Sequence, residues 1–424
     1  MLDIKIIREN PEIVKKALRD RNSDLSIDNL LELDKERRSV LTEAEALKFR
    51  KNQATEEIAA LKKAGKPADD KITSMKELSQ KIKEFEGKVA EIDESLSGAL
   101  MVIPNIPHSS VPVGSPKNNK IVKSWGEQSQ FDFKPRTHIE LAELLDIIDF
   151  PRASKITGSN FPLFKGEGAR LVRALINFMV ELHTSKHGYR EIWPPSLVNR
   201  ASMTCTGQLP KLEEDMYKLK DDDLFLIPTA EVPVTNIHRD EILEEKNLPV
   251  YYTAYTPCFR REAGSYGKDT KGLLRVHLFD KVELVKFVKP ETSYDEHEKL
   301  LADAEEVLQL LGLPYRVSLL ATGDLSFAAA KCYDIESWAA GVDQYLEVSS
   351  CSNFEAFQAR RGNIRYRRQD TGKTEYVHTL NGSGIALART IVAIMENYQQ
   401  EDGSIKVPQA LIPFMGGREI IGRE

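Results

Sequence analysis

The side chains with the strongest intrinsic chemistry are few and scattered in this sequence. Cys205, Cys258, Cys332 and Cys351 form no C-x-x-C pair and have no histidine at zinc-ligand spacing, a pattern that suits free thiols in a reducing cytosol. His277 and His378 invite a general-base role. A histidine in a strand or turn is more often a hydrogen-bonding structural residue, so neither enters the catalytic set. No G-x-x-x-x-G-K-[ST] phosphate loop occurs, and Gly264, Gly267 and Gly272 do not fit a dinucleotide-binding fingerprint. Any nucleotide must be held by other means. What remains is a set of charged groups and a ring: Arg260, Glu262, Phe279, Glu347 and Arg389. Each has an ordinary explanation when taken alone. A single arginine on a strand is usually a surface ion pair, a single phenylalanine is usually core, and Glu347 next to Val348 reads as an edge-strand acid. Their placement relative to one another decides, and that depends on the elements that carry them.

The chain has 424 residues, 41% hydrophobic and 29% charged, which are ordinary globular values with room for about two to four folding units. Its 59 basic and 65 acidic residues give a net charge of −6 (59 − 65). That excludes a wholesale polycation of the histone or ribosomal type but leaves room for a local phosphate-binding surface. Met1 to Lys16 interleaves apolar residues with Asp3, Lys5, Arg8 and Glu9, so it has no apolar stretch of a signal peptide. No run of about 18 apolar residues offers a membrane span. A cytoplasmic protein with no membrane partner is expected.

Asn10 followed by Pro11 is a helix-start pair and predicts a short N-terminal helix. From about Ser26 the periodicity becomes heptad: Leu33, Val40, Leu47, Ala54 and Leu61 lie seven apart, with Leu30, Ala44 and Ile58 on the companion row, which Arg37 and Lys51 interrupt. Gly65, Lys66 and Pro67 break the helix. A second run then places Met75, Leu78, Ile82, Phe85, Val89, Ile92 and Leu96 at alternating three- and four-residue steps. Two helices joined by about eight residues must run antiparallel, so a hairpin arm of roughly 50 Å is predicted. Residues 48 to 88 carry 11 Lys/Arg against 7 Asp/Glu, a local +4, whereas 28 to 47 carry 3 against 6. Charge alone leaves open a merely solvated coiled coil; the sorting of sign along the arm favours a phosphate-contacting distal half.

Pro104, Pro107, Pro112 and Pro116 predict a linker over 104–125 between an N-terminal domain, 1–103, whose arm spans about 27–100, and a second domain, 126–424. The second domain alternates helical segments such as Gly168 to His183 with strand-like runs such as Val276 to Val288. These strands are not spaced as repeated βαβ units. An α+β fold is expected, with an antiparallel sheet and helices on one side. The apolar row Leu171, Leu175, Phe178 and Leu182 offers a stripe for a second subunit to cover. Ala386 to Tyr398 reads as a helix, and the residues after it are too few for another domain.

Three segments resemble the signature motifs of class II aminoacyl-tRNA synthetases, in that family's order. The helix from Gly168 leading into YREIWPPSLV resembles motif 1, with its proline at Pro195; Thr256 to Glu283, opening with Phe259, Arg260, Arg261 and Glu262, resembles motif 2; and GIALARTIVAIMEN, Gly384 to Asn397, resembles motif 3, with Arg389. TGQLPK (Thr206 to Lys211), PTAEVPVTN (Pro228 to Asn236), YLEVSSCSNFEAFQARR (Tyr345 to Arg361) and HTLNGSGIALAR (His378 to Arg389) all look like seryl-tRNA synthetases of bacterial type, as does the N-terminal arm. One departure is Pro162, in NFPLFKG, where the family more often has an aromatic; this puts local strand pairing in question and lies outside the chemistry.

The resemblance implies a helical coiled-coil arm followed by a class II antiparallel-sheet catalytic domain flanked by helices. It implies a homodimer, held through the motif 1 helix and a strand containing Pro195, that activates L-serine with ATP and Mg²⁺ to seryl-adenylate, releases pyrophosphate, and loads the 3′ end of tRNA(Ser). Whether tRNA(Sec) is a second substrate stays open. By resemblance, Arg260 grips the α-phosphate with Glu262 at the adenine end, Phe279 stacks on the ring, and Arg261, Val276, Val348 and Ser349 complete the ATP site. Arg389, catalytic with Arg260, either holds the bent triphosphate or covers the adenine from the other side, and Glu347 with Ser350 coordinates Mg²⁺. Serine falls to Thr229, Ala230, Glu231, Arg260, Glu283 and Ser383: Thr229 and Glu231 near the ammonium, Glu283 and Ser383 near the hydroxyl. Which carboxylate meets which end stays open. Threonyl and prolyl enzymes share the class but usually carry a C-terminal anticodon-binding domain, for which the chain ends too soon. Amino-acid ligases acting on carrier proteins lack the arm. Intact Arg260, Glu262, Glu347 and Arg389 speak against a non-catalytic tRNA-binding paralogue.

Overall fold

The computed structural model describes residues 1–263 and 271–423, in two compact units, Met1–Pro104 and Asn105–Glu424. Gly264 and Gly267, and with them the loop of the motif 2 segment, lie outside the described residues.

In the first unit, helix Ile4–Glu9 is capped by Asp3, whose side chain accepts the Lys5 N–H, and Pro11 opens helix Pro11–Asp20 at the first position. Helices Asp28–Lys63 and Asp69–Met101 form the antiparallel arm, turning at Gly65, where φ is +67°. Both heptad rows face the partner helix. Leu30, Ala44, Ile58, Ile82, Ile92 and Leu96 are buried, while Leu33, Val40, Leu47, Ala54 and Leu61 are half-buried beside them. Arg37, which breaks the apolar pattern, pairs with Asp93 across the seam, and Lys48–Glu86 (2.8 Å) and Lys71–Glu57 add further rungs. At the base, the buried Asp34 takes Arg8 at 3.3 Å and Arg38 at 3.0 Å, so its charge is compensated out of water.

The second unit is built on an eight-stranded sheet: β1 (Lys120–Trp125), β2 (Arg190–Glu191), β3 (Val250–Phe259), β4 (Leu278–Val288), β5 (Tyr315–Leu319), β6 (Lys331–Ala339), β7 (Gln344–Asn353) and β8 (His378–Ala386). Their order across the sheet is β1-β5-β6-β7-β8-β4-β3-β2. Every pairing is antiparallel except β2 with β3, which is parallel at one edge. Helices Gly166–Ser185, Ser293–Leu310 and Leu387–Asn397 pack on one face and share a single core with it. On β4 the two-residue period is explicit: Val282, Leu284 and Val288 join that core, while Val285 and Phe287 belong to a separate cluster on the opposite face, with Ala230, Val234 and Ala359 from two short helical segments. Those segments cover only part of the second face.

Three expectations are corrected. The stretch expected as a linker over 104–125 is fastened to the second unit: Asn105 Nδ2 donates to the Ala328 and Phe354 carbonyls, both at 2.9 Å, and Lys120–Trp125 is an edge strand on β5. The prolines end at Pro116, so residues 120–125 keep every N–H for the ladder. Leu171, Leu175, Phe178 and Leu182 are not a stripe awaiting a second subunit. They are buried in the subunit's own core, and the outward positions of that helix carry Arg173, Asn177 and Glu181. Pro195 stands in no strand, between β2 and a short strand, Leu197–Asn199. At the Pro162 departure, local pairing is present: the His277 N–H donates to the Asn160 carbonyl at 2.9 Å, and Phe164 bridges Ile148. No helix among the described residues is long and apolar enough to cross a membrane.

Candidate active site

The uncovered part of the second face holds a cavity of about 610 Å³. Its floor follows from strand alternation. Phe279 and Lys281 line it from β4, with Glu283 continuing the same face, while Leu278 pairs with Phe259 so that Arg260 emerges just past the end of β3. The Arg260 guanidinium lies over the Phe279 ring, 5.1 Å from its centroid, and Nε donates to the Pro228 carbonyl at 3.2 Å. His277 completes this corner: Arg260 N–H donates to its carbonyl, and its Nδ1 sits 2.9 Å from the Arg260 carbonyl. It therefore ties the two strand ends together, a structural task.

Glu262 lines the cavity at φ +49°, a conformation uncommon for a non-glycine residue, and is paired with Arg275 at 3.2 Å. Arg261 does not reach the cavity. Its N–H donates to the Asp215 carbonyl and its guanidinium to the Glu214 carbonyl, at 3.0 and 3.2 Å. Ala230 also stays out, since its methyl is part of the apolar cluster with Val234 and Val285. Val276, Val348, Ser349 and Ser350 do line the cavity.

On β7 the register shifts between Glu347 and Ser349, so Val348 is the extra residue of a bulge that re-aims its neighbours. Glu347 and Ser350 both line the cavity, and Arg389 is held there by the Leu274 carbonyl at 3.0 Å, the Glu347 carbonyl at 2.8 Å and the Glu347 carboxylate at 3.5 Å. Sequence reasoning missed Asp334, which faces this corner from β6. Burial first, and then the Glu347 charge, push its carboxyl up to about 8, although a hydrogen bond from Ser350 opposes the rise.

At the other end lies a small polar nest. Lys281 Nζ pairs with Glu283 and donates to Thr229 Oγ1 at 2.8 Å; Thr229 Oγ1 donates to Glu283 Oε2 at 2.7 Å, and Asn381 Nδ2 reaches Glu283 Oε1 at 3.2 Å. Glu283 is wholly buried and Lys281 nearly so, which makes the lysine the cation that lets a carboxylate sit here. Neither Lys281 nor Asn381 was among the residues expected at the site. The signal was available, since Phe279, Lys281 and Glu283 share one strand face. Ser383 lines the cavity from β8 and Thr229 and Glu231 from the segment before β3.

Glu231 is buried without a cation: Gln358 donates to it, and Thr379 in turn donates to Gln358 at 2.8 Å. Burial, then the Glu283 charge, raise its carboxyl from 4.5 to about 7. Because the folded value lies above the usual one, the Glu231 contribution to stability is full below about 4.5 and is lost as pH rises through about 7. We expect Glu231→Gln to lose fewer degrees of melting temperature than the wild type between pH 5 and pH 8 in differential scanning calorimetry. Equal losses would contradict the placement.

Residues 1–107 match the family model of the seryl-tRNA synthetase N-terminal domain, and residues 216–398 match the class II tRNA synthetase core domain (G, H, P, S and T). The serine--tRNA ligase of Carboxydothermus hydrogenoformans is 58% identical over 417 residues, 98% of each chain. That of Geobacter sulfurreducens is 56% identical over 423 residues, covering 100% of both. The crystal structure of seryl-tRNA synthetase from Pyrococcus horikoshii complexed with ATP superposes with a TM-score of 0.94 at 41% identity, covering 100% of both chains.

Proposed function

Since the chain belongs to the seryl-tRNA synthetase family, and so is an ATP-dependent ligase joining serine to tRNA, we propose that the 610 Å³ cavity is where serine is activated and assign its residues their tasks. The observation that carries this is the meeting, in one cavity, of a guanidinium-over-ring corner, an acidic bulge with an arginine, and a nest of buried carboxylates.

The serine carboxylate is already ionised and needs no base. Its oxygen forms a bond to the α-phosphorus of ATP as the bond from that phosphorus to the bridging oxygen breaks, and pyrophosphate leaves with the electron pair. The protein's part is alignment and charge. Arg260 is held by Pro228 and Phe279 so that its fork meets the α-phosphate without reorganising. Phe279 gives the adenine a face, with Glu262 beside it, and Arg389 serves the triphosphate or the far face of the ring. Glu347 and Ser350, with Asp334 beside them, offer hard oxygens, and the proton that burial and the Glu347 charge keep on Asp334 is one that a cation would displace. That donor set fits Mg²⁺, which takes one or two carboxylates plus substrate phosphates and, when bound, neutralises charge on the phosphates.

Glu231 meets the serine ammonium, because it is the buried carboxylate without a cation, and pairing would restore its ionised form. Glu283, already matched by Lys281, offers Oε1 to the serine hydroxyl, with Ser383 nearby. Glu283→Ala is expected to raise KM for serine about 10- to 100-fold, the worth of about 1.5–3 kcal/mol for a hydrogen bond to a charged group, and to narrow the preference for serine over alanine. KM for ATP should change little. An unchanged serine KM in a folded variant would remove Glu283 from the site.

We assign residues 1–103 to tRNA binding and place the protein in the cytoplasm. tRNA(Ser) is the acceptor, and charging of both transcripts decides whether tRNA(Sec) is a second one. The working form is a homodimer. Trp193, 77% exposed, and Ile156, 70% exposed, are the most exposed of the large apolar side chains among the described residues, and a second subunit would take them out of water. Sedimentation at micromolar concentration should give twice the chain mass of 47.9 kDa; a single-chain mass would refute the dimer.

A further inference from the structure

On the face of the sheet opposite the cavity, two histidines meet nitrogen to nitrogen. His183, buried in helix Gly166–Ser185, and His187, one turn on, bring their Nδ1 atoms to 2.9 Å. Such a bond has a direction: one ring must donate and the other accept. The outer nitrogens decide which. His183 Nε2 lies 3.3 Å from the Gly384 carbonyl oxygen, an acceptor, so this nitrogen carries a proton. Burial lowers His183 to about 4, which keeps the ring neutral and leaves its Nδ1 a lone pair. His187 must therefore donate from Nδ1. Its Nε2 faces the Glu306 carboxylate at 2.9 Å, a second acceptor, so that nitrogen is protonated as well and the ring is an imidazolium.

The surrounding charges suit a cation there. Asp303 approaches His187 Nδ1 to 3.9 Å and also accepts from Tyr189 at 2.8 Å. Lys186 pairs with Glu306, and Lys286, on β4, divides its charge between Glu296 at 3.2 Å and Asp303 at 3.7 Å.

The far end of this chain reaches the serine pocket. A Cβ at Gly384 would stand 2.5 Å from His183 Nε2, so glycine is what admits the ring. The ladder to β4 shifts register between Ser383 and Ala386, and Ile385 there has φ +143°, costly for a β-branched residue. From the cavity side Ser349 Oγ donates to the Ser383 carbonyl at 2.6 Å. The irregularity is gripped from both faces.

We propose that His187 and His183 form a proton-ordered pair that positions the Ser383–Ile385 segment for serine binding, with His187 as fixed donor and the Gly384 carbonyl as final acceptor. Both are positioning residues and neither touches substrate; the link to binding rests on placing Ser383 in the serine pocket. Nitrogen-15 spectra of the full-length protein labelled at histidine, near pH 7.5, should show one ring protonated at both nitrogens, lost in His187→Gln, and a neutral Nε2–H tautomer for His183. Glu306→Gln keeps an acceptor oxygen but removes the negative charge that holds the second proton, so a neutral His187 can take the Nε2–H tautomer and cease to donate from Nδ1. The ratio of its serine KM to that of the wild type should then grow about tenfold from pH 6.5 to 8.5, with KM for ATP and kcat within about twofold. A neutral His187 in the wild-type spectrum overturns the proposal, as does a KM ratio that stays constant with pH. Unchanged serine KM in Ser383→Ala would sink the pocket assignment, and with it the link to binding, a failure distinct from a wrong proton order.

Discussion

Arg260→Ala is expected to lower serine-dependent exchange of pyrophosphate into ATP by about 10²- to 10³-fold, the roughly 3–4 kcal/mol that one preorganised charge donor contributes to a transition state. The side chain is positioned before substrate arrives, by the Pro228 carbonyl and the Phe279 face, so its charge costs no reorganisation during the reaction. The same contacts show why the fold should survive. Arg260 is half-buried, and truncating it leaves a ring facing an open cavity and one carbonyl that water can reach. The melting temperature should fall by no more than a few degrees. Arg260→Lys keeps the charge and loses the planar fork, so its activity should lie between the two. Near wild-type exchange by folded Arg260→Ala would remove Arg260 from the chemistry.

The second large effect concerns the arm. Replacing residues 40 to 90 with a short Gly/Ser linker spares the Arg8–Asp34–Arg38 cluster and the segment that carries Asp93, so the base of the first unit keeps its buried charge compensated. Pyrophosphate exchange should stay within about twofold, because the residues assigned to ATP and serine all lie beyond position 205. Transfer to tRNA should collapse by about 10²-fold or more, since the deleted segment holds the basic surface that we assign to the tRNA backbone. Neutralising Lys62, Lys63 and Lys66 should give a milder loss, concentrated in tRNA affinity and with a shallower dependence on salt. An armless protein that still charged tRNA with near-normal kcat/KM would leave the arm without a role in tRNA selection.

The sequence made some of these features legible and hid others for identifiable reasons. The arm could be read because a seam between two helices must repeat every seven residues, and even its interruption, Arg37, is explained by Asp93 across the seam. Arg260, Glu262, Phe279, Glu347 and Arg389 could be placed only through the motifs, since no one of them differs locally from an ordinary surface or core residue. The cavity brings them together. Arg261 failed because its guanidinium is taken by the Glu214 carbonyl, 47 residues away, a contact that no local pattern announces. The row from Leu171 to Leu182 shows the limit of periodicity, which marks a buried face but cannot tell a subunit's own core from an interface. The His183–His187 pair was missed because its significance lies in partners a hundred or more residues away, Glu306 and Gly384, whereas Lys281 was legible two residues from Glu283 on one strand face.

The most direct test of the central claim is amino-acid-dependent exchange of pyrophosphate into ATP by the full-length protein, run with each of the twenty amino acids and Mg²⁺. Serine alone should support fast exchange. Alanine should fail because it lacks the hydroxyl that would bond to Glu283 Oε1 and Ser383, and threonine should be excluded by its added methyl. Exchange with alanine or threonine at a rate close to that with serine would contradict the assignment of the Thr229–Glu283 nest as a site built for the serine hydroxyl.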